Sequence, residues 1–256
     1  MITVSRHGAV AIVTLVRPEA RNALTGPMMR GLATSVHELD LDDAVRAIIL
    51  TGTDPAFCSG LDLKDLKNTY DDIELGPETG IVQRGLLPEC STPIIAAING
   101  PAVTGGLELA LGCDWMIASR EHATFADTHA RVGVMPGGGM TIRLPQLIGI
   151  NRARQMSFTG NFIDAATAFE WGLVNEICTH DALMATAVHQ AEAIAASDPK
   201  VVRELRTMYE VLGLLSRDEA HREESRWSRR WMKEQFDEAS FALRRSDIIA
   251  RGSAEQ

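Results

Sequence analysis

An α/β fold is predicted for this chain of 256 residues. Three observations carry that prediction. Short runs of aliphatic and β-branched residues alternate with segments of helical spacing from residue 2 to about residue 180. Turn residues close many of the apolar runs. Beyond residue 180 the pattern is helical nearly to the end. With 45% apolar and 23% charged residues, the chain can bury a sizeable core, which excludes disorder as its dominant state.

Taken in order, Ile2–Ser5 and Val10–Val16 flank Arg6-His7-Gly8 and read as a hairpin. Met28–Leu39 spaces its apolar residues at helical intervals just after Gly26-Pro27, and proline is favoured at a helix start. Ala47–Leu50 is a buried-type strand ending at Thr51-Gly52. Thr53–Lys67 reads as a loop entering a helix, and Ile81–Leu87 as a helix that Pro88 ends. Pro93–Ile98 is a second buried strand, closed by Asn99-Gly100. Gly105–Gly112 is expected to be helical, Trp115–Ala118 a strand and Ala165–Trp171 a helix, with Gly172-Leu173-Val174 leading into another strand.

Charge divides the chain. Residues 1–199 carry 13 Lys/Arg against 23 Asp/Glu, and residues 200–256 carry 12 against 11. This predicts an acidic core over 1–199 and a charge-dense helical region over 200–256 that packs on a neighbouring surface, in the same chain or another subunit. The net charge of −9 argues against nucleic acid as a primary partner. No run of ~18 apolar residues suggests a membrane span, and the first residues lack the pattern of a secretory signal. Cys58, Cys90, Cys113 and Cys178 are scattered, without the spacing of a zinc or disulfide framework. A reduced, cytoplasmic setting is expected.

Two segments could carry chemistry. Ala56-Phe57-Cys58-Ser59-Gly60-Leu61-Asp62-Leu63 is a small-residue turn after a buried strand. Asn99-Gly100-Pro101-Ala102-Val103-Thr104-Gly105-Gly106-Leu107-Glu108-Leu109-Ala110 joins a strand end, a glycine pair and a helix start. Backbone N–H groups are exposed in such a turn, and glycine lets a ligand approach them. Glu108, in the first turn of that helix, is either a solvated residue offsetting the helix dipole or a partly buried base.

These segments, with Arg21-Asn22-Ala23-Leu24 and Pro136-Gly137-Gly138-Gly139, resemble the enoyl-CoA hydratase/isomerase (crotonase) family in order and spacing from about residue 2 to 200. The resemblance implies a crotonase-like spiral of ββα units with a helical C-terminal region, assembled as a homotrimer or as a hexamer of paired trimers. It implies an acyl-CoA thioester substrate and an oxyanion hole made by the backbone N–H groups of Leu61 and Gly105. Glu108 would activate water. Main-chain groups near Ala23, Ser59, Gly60, Asp62 and Leu63 would meet coenzyme A, which enters as part of the substrate. No metal and no separate cofactor is expected. Lys64, Lys67, Arg21 and the basic tail are candidates for the phosphates.

The resemblance also implies a second glutamate after a strand. Aligned on Phe125 and on Gly133–Pro136, that position is His129, within Phe125-Ala126-Asp127-Thr128-His129-Ala130-Arg131-Val132-Gly133. Three roles are open to it: proton transfer, since imidazole exchanges protons near neutral pH; positioning of the acyl group while Glu108 handles protons; or a structural hydrogen bond. On a strand, Asp127 would share its face and could orient it. A Ser59/His129/Asp127 triad is a weaker arrangement, because no nucleophile elbow is present. Cys58 and Cys113 read as small buried hydrophobes. The expected reaction is reversible addition of water to a 2-enoyl-CoA. The alternatives are a double-bond isomerase or another single-carboxylate enolate reaction, or a catalytically weak acyl-CoA-binding protein.

Overall fold

The N-terminal hairpin forms as expected. In the computed structural model of the chain, β1 (Ile2–His7) and β2 (Val10–Leu15) pair antiparallel with His7 opposite Val10, and Gly8 turns at φ +58°. The structure describes residues 1–64, 83–242, 244, 245 and 249. Further strands are β3 (Ala47–Gly52), β4 (Gln83–Arg84), β5 (Leu87–Pro88), β6 (Ile94–Ile98), β7 (Ala102–Val103), β8 (Trp115–Ser119), β9 (Thr124–Ala126), β10 (Ile163–Asp164) and β11 (Glu176–Cys178). A six-stranded sheet runs in the order β1-β2-β3-β6-β8-β11, parallel from β2 onward. A smaller sheet runs β10-β9-β7.

Parallel strands are covered on both faces, so their sequences read as continuous apolar runs. That is the case here. Every residue of β3 and β6 is buried. Ile48, Leu50, Ile94, Ala96 and Ile98 join one core cluster, while Ala47, Ile49, Ile95 and Ala97 join a second cluster with Leu183, Ala187 and Ala191. The two-residue alternation of a strand thus feeds two cores at once. The first cluster includes α1 (Gly26–Leu41), whose buried face is Met28, Met29, Leu32, Ala33, Val36 and Leu39. Thr25 caps α1 by accepting the Met28 N–H at 3.4 Å, and Pro27 fits its first turn. The second cluster takes its helical residues from a later helix, Leu183–Ala195.

The other helices are α2 (Gly105–Leu111), α3 (His129–Val132), α4 (Met140–Ile148), α5 (Ile150–Thr159) and α6 (Ala165–Trp171), then α7 (Leu183–Ala195), α8 (Pro199–Leu212) and α9 (Arg217–Glu234). The chain divides into two units, Met1–Glu204 and Leu205–Gln256. In the second, Ser216 and Glu219 form a reciprocal capping box that opens α9. Leu205, Leu215, Phe236 and Phe241 are exposed there, by 46%, 40%, 40% and 53%.

One expected element is corrected. Gln83–Pro88 is a tight hairpin rather than the end of a helix. Gly85, at φ +75°, makes the turn and lies so close to Gly138 that a Cβ would stand 2.4 Å from the Gly138 carbonyl oxygen. Residues 65–67 at the end of the expected Thr53–Lys67 loop, the helix that loop was expected to enter, and residues 81 and 82 lie outside the described residues. Helix α4 buries Met140, Leu144 and Ile148 at four-residue spacing, a helical stripe that four glycine and proline residues upstream obscure, and α5 buries Ala153 and Met156.

Candidate active site

The functional segments meet where β3 and β6 end. Buried Asn99 ties these ends together: its Oδ1 accepts the Gly52 N–H at 3.2 Å, and its Nδ2 donates to Asp54 Oδ1 at 2.8 Å. Asn22, also buried and in the left-handed region at φ +55°, donates from Nδ2 to the carbonyls of Thr53 and Ala56, both at 2.7 Å. A short amide side chain that tolerates this backbone conformation is what the Arg21–Leu24 motif supplies. Leu24 then donates to the Gly60 carbonyl and accepts from the Asp62 N–H, each at 2.8 Å. The 53–62 loop is therefore fixed from both sides, leaving Leu61 between two committed residues.

Strand β7 docks against this loop and against β9. Cys58 N–H donates to Pro101, Val103 N–H to Cys58, and Thr104 N–H to Ala126 at 2.8 Å. The chain then enters α2 through Gly105-Gly106. Gly106 is required by close approach: a Cβ there would stand 2.0 Å from the Cys58 carbonyl oxygen. Gly105 faces Leu61, and a Cβ on Gly105 would lie 3.4 Å from the Leu61 amide nitrogen. Among the described residues neither the Leu61 nor the Gly105 N–H donates a hydrogen bond. Two adjacent, unspent N–H donors are the geometry that can receive a developing oxyanion. Thr104, just before them, adopts φ +53° and ψ −114°, a conformation that costs a residue with a Cβ about 1–3 kcal/mol.

Glu108 lies on the buried α2 and is 4% exposed. Its Oε1 accepts N–H bonds from Gly138 at 2.8 Å and Met140 at 3.2 Å, which is the work done by the Pro136–Gly139 turn. Burial pushes its carboxyl above the usual value, against the opposing pull of those two N–H groups and of His129. Its other oxygen, Oε2, stands 3.8 Å from His129 Nε2. His129 and Asp127 do not share a strand face, as a strand reading supposed. β9 ends at Ala126, and the Asp127 carboxylate turns back on its own chain, accepting the His129 N–H at 3.2 Å and binding Nδ1 at 2.6 Å. Aspartate ends strands in this way because its short side chain competes with the ladder for N–H groups. His129 then opens the one-turn α3. Burial alone would raise the Asp127 carboxyl, but hydrogen bonds from the His129 ring, the Ser157 hydroxyl and the His129 backbone together hold it below its usual value.

These groups border one cavity of about 380 Å³, walled by Leu61, Gly105, Glu108, His129, Thr104 and Thr128, among others. Of the expected coenzyme A residues, Ser59, Gly60 and Leu63 line it. Ala23 and Asp62 are not in its lining. The Asp62 carboxylate pairs with Arg17 at 2.7 Å and accepts the Lys64 N–H at 2.9 Å, and the Ala23 carbonyl accepts from Arg17. Ser59 Oγ donates to the Ala20 carbonyl at 3.3 Å, which spends its proton away from His129 and removes the triad arrangement. Cys58 is buried, with its thiol pushed up to about 12 by desolvation, and Cys113 is buried too. Both behave as packing residues. Among the described residues no group of three His, Cys, Asp or Glu could hold a metal ion, and no helix is long and apolar enough to cross a membrane. Sequence reasoning missed Thr104 and Ser157. A β-branched residue directly before a glycine pair was the available signal for the first.

Comparison with known proteins gives a consistent picture. The sequence pattern of the family described as enoyl-CoA hydratase/isomerase matches residues 5–241. A short-chain-enoyl-CoA hydratase of Clostridium acetobutylicum is 37% identical over 205 residues, covering 79% of this chain and 78% of that protein. The Arabidopsis thaliana protein named "Probable enoyl-CoA hydratase 1, peroxisomal" is 38% identical over 201 residues, covering 78% and 75%. The crystal structure of an enoyl-CoA hydratase from Mycobacterium tuberculosis H37Rv superposes with a TM-score of 0.75 at 42% identity, covering 83% of this chain and 90% of that one.

Proposed function

The chain belongs to the enoyl-CoA hydratase/isomerase family of enzymes, and from that premise we propose that it adds water reversibly to 2-enoyl-CoA thioesters, with Glu108 and His129 sharing the proton work. The observation that carries the reading is Glu108, held by two backbone N–H groups in the wall of a cavity that also holds two unspent N–H donors. The Leu61 and Gly105 amides receive the thioester oxygen. As the water oxygen bonds to the β-carbon, Glu108 takes the water proton and the π electrons shift to form the enolate. The imidazolium of His129 then protonates the α-carbon, and the proton on Glu108 returns to His129 Nε2. The present 3.8 Å separation needs only the slight tightening that accompanies substrate binding. Asp127 on Nδ1 leaves Nε2 to face Glu108 and stabilises the imidazolium.

Coenzyme A arrives as part of the substrate and follows Ser59, Gly60 and Leu63, with the Ala23 and Asp62 segments behind them and exposed Lys64 beside its phosphates. Four free cysteines, three of them buried, suit a reduced cytoplasmic setting. The purified protein should consume short-, medium- or long-chain 2-enoyl-CoA, followed as loss of the conjugated thioester absorbance. Conversion confined to 3-enoyl-CoAs would instead make it an isomerase that works through Glu108 alone. No turnover on either panel would leave only a binding protein.

The division into a core of 1–199 and a helical region of 200–256 belongs with an assembly role for the second part. Exposed Leu205, Leu215, Phe236 and Phe241 there, and Phe158 and Phe162 in the first unit, 76% and 56% exposed, are apolar area that subunit contact would remove from water. A homotrimer or hexamer is expected by light scattering at micromolar concentration. A stable single-chain species would refute the assembly.

A further inference from the structure

Thr104 and Thr128 stand one residue before the two groups that the proposed chemistry needs, the Gly105 amide and the His129 imidazole. Their hydroxyls meet at 2.5 Å, and the Thr104 hydroxyl also accepts the Thr128 N–H at 3.1 Å. The Thr104 N–H, in turn, donates to the Ala126 carbonyl at 2.8 Å. Three hydrogen bonds therefore join Thr104, before α2, to the segment that leads into α3, two to Thr128 and one to Ala126 at the end of β9. Both threonines are half-buried and line the cavity.

The backbone at Thr104 is one that glycine adopts without cost, at φ +53° and ψ −114°. A threonine held there is strained, so stability alone favours glycine. Its hydroxyl is not spent on capping α2, since it makes no bond to that helix. What the threonine supplies in exchange for the strain is the bond to Thr128.

We propose that Thr104 and Thr128 are positioning residues, whose paired hydroxyls hold the Gly105 oxyanion donor and the His129 imidazole in one fixed register. The inference rests on the hydration reading above. A small misplacement of a reacting group costs on the order of 10²-fold in rate, which is the scale on which such a clamp acts.

Thr104→Gly separates strain from function, because it relaxes the backbone and removes the hydroxyl together. The expected result is a folded protein with an unchanged or higher Tm, a kcat lower by about 10- to 100-fold, a KM altered little, and a displaced pH–rate limb. Thr104→Ser should restore kcat to within a few-fold, because serine keeps the hydroxyl. Thr128→Val should reproduce the loss from the other side of the pair. Wild-type kcat in Thr104→Gly overturns the inference, as does a loss that serine fails to restore or one that comes with a collapse in Tm. If the wild-type protein hydrates no 2-enoyl-CoA, the functional reading fails instead. The clamp is then read without turnover, from the ring ¹⁵N chemical shifts of His129. Shifts displaced in Thr104→Gly and restored in Thr104→Ser support it, and shifts identical in all three proteins overturn it.

Discussion

Glu108→Gln is expected to lower kcat for hydration by about 10²–10⁴-fold while KM changes little, the usual consequence of removing a general base. The substitution is nearly isosteric. A glutamine Oε1 can keep the N–H bonds from Gly138 and Met140, which leaves its NH₂ where Oε2 now faces His129. The cavity keeps its shape and loses a proton acceptor. Stability should move the other way. The folded-state pKa of Glu108 is raised by burial, so its contribution to stability is full below the unfolded pKa and is lost as pH rises through the folded value. Glutamine never ionises. The variant should therefore melt at or above the wild-type temperature at pH 7–8, with the difference shrinking toward pH 4. Steady-state kinetics beside calorimetry at both pH values checks this. Unchanged turnover in a correctly folded variant would remove Glu108 from the chemistry.

His129→Ala is expected to cost about 10²–10³-fold in kcat and to abolish the limb of the pH–rate profile that the imidazole carries. The companion variant Asp127→Asn tests how the ring is held. It keeps an oxygen near Nδ1 but removes the charge that stabilises the imidazolium, so a smaller loss in kcat is expected. Its stability signature is separate. The Asp127 pKa is lowered in the folded state, so its contribution is present above the unfolded pKa and is lost as pH falls through the folded one. Asp127→Asn should flatten the acid side of the melting-temperature profile. A purely structural role for His129 predicts a lower Tm in His129→Ala with the pH–rate profile unchanged in shape, and that pairing would refute its part in proton transfer.

Much of this site was legible in the sequence. Gly105 and Glu108 stand in one short segment and Leu61 in another, each segment fixes its local geometry almost by itself, and the family resemblance is what pairs them. Gly106 can only be glycine against the Cys58 carbonyl, and Asn22 is a short amide at a positive φ. The buried strands were legible too, because two covered faces force an unbroken apolar run, as in Ala47–Gly52 and Ile94–Ile98. The hairpin at Gln83–Pro88 was not. Apolar residues in a short run fit helix and strand alike, and it was the approach of Gly85 to Gly138, some fifty residues away in sequence, that decided the matter.

The order of residues says which chemical groups are present: one glutamate beside a glycine pair, and a histidine where the family resemblance implies a second glutamate. It left the three roles of His129 open, because spacing says nothing about where a ring nitrogen points. Only the tertiary structure set Asp127 against Nδ1, turned Nε2 toward Glu108 and closed the Thr104–Thr128 bond. The physical reason is range. Propensity, turn chemistry and glycine requirements act over a few neighbouring residues. The raised Glu108 carboxyl and the neighbouring Leu61 and Gly105 amides arise from burial and from partners brought together across about 20 to 45 residues of chain, while the lowered Asp127 carboxyl joins a near partner, His129, to a distant one, Ser157.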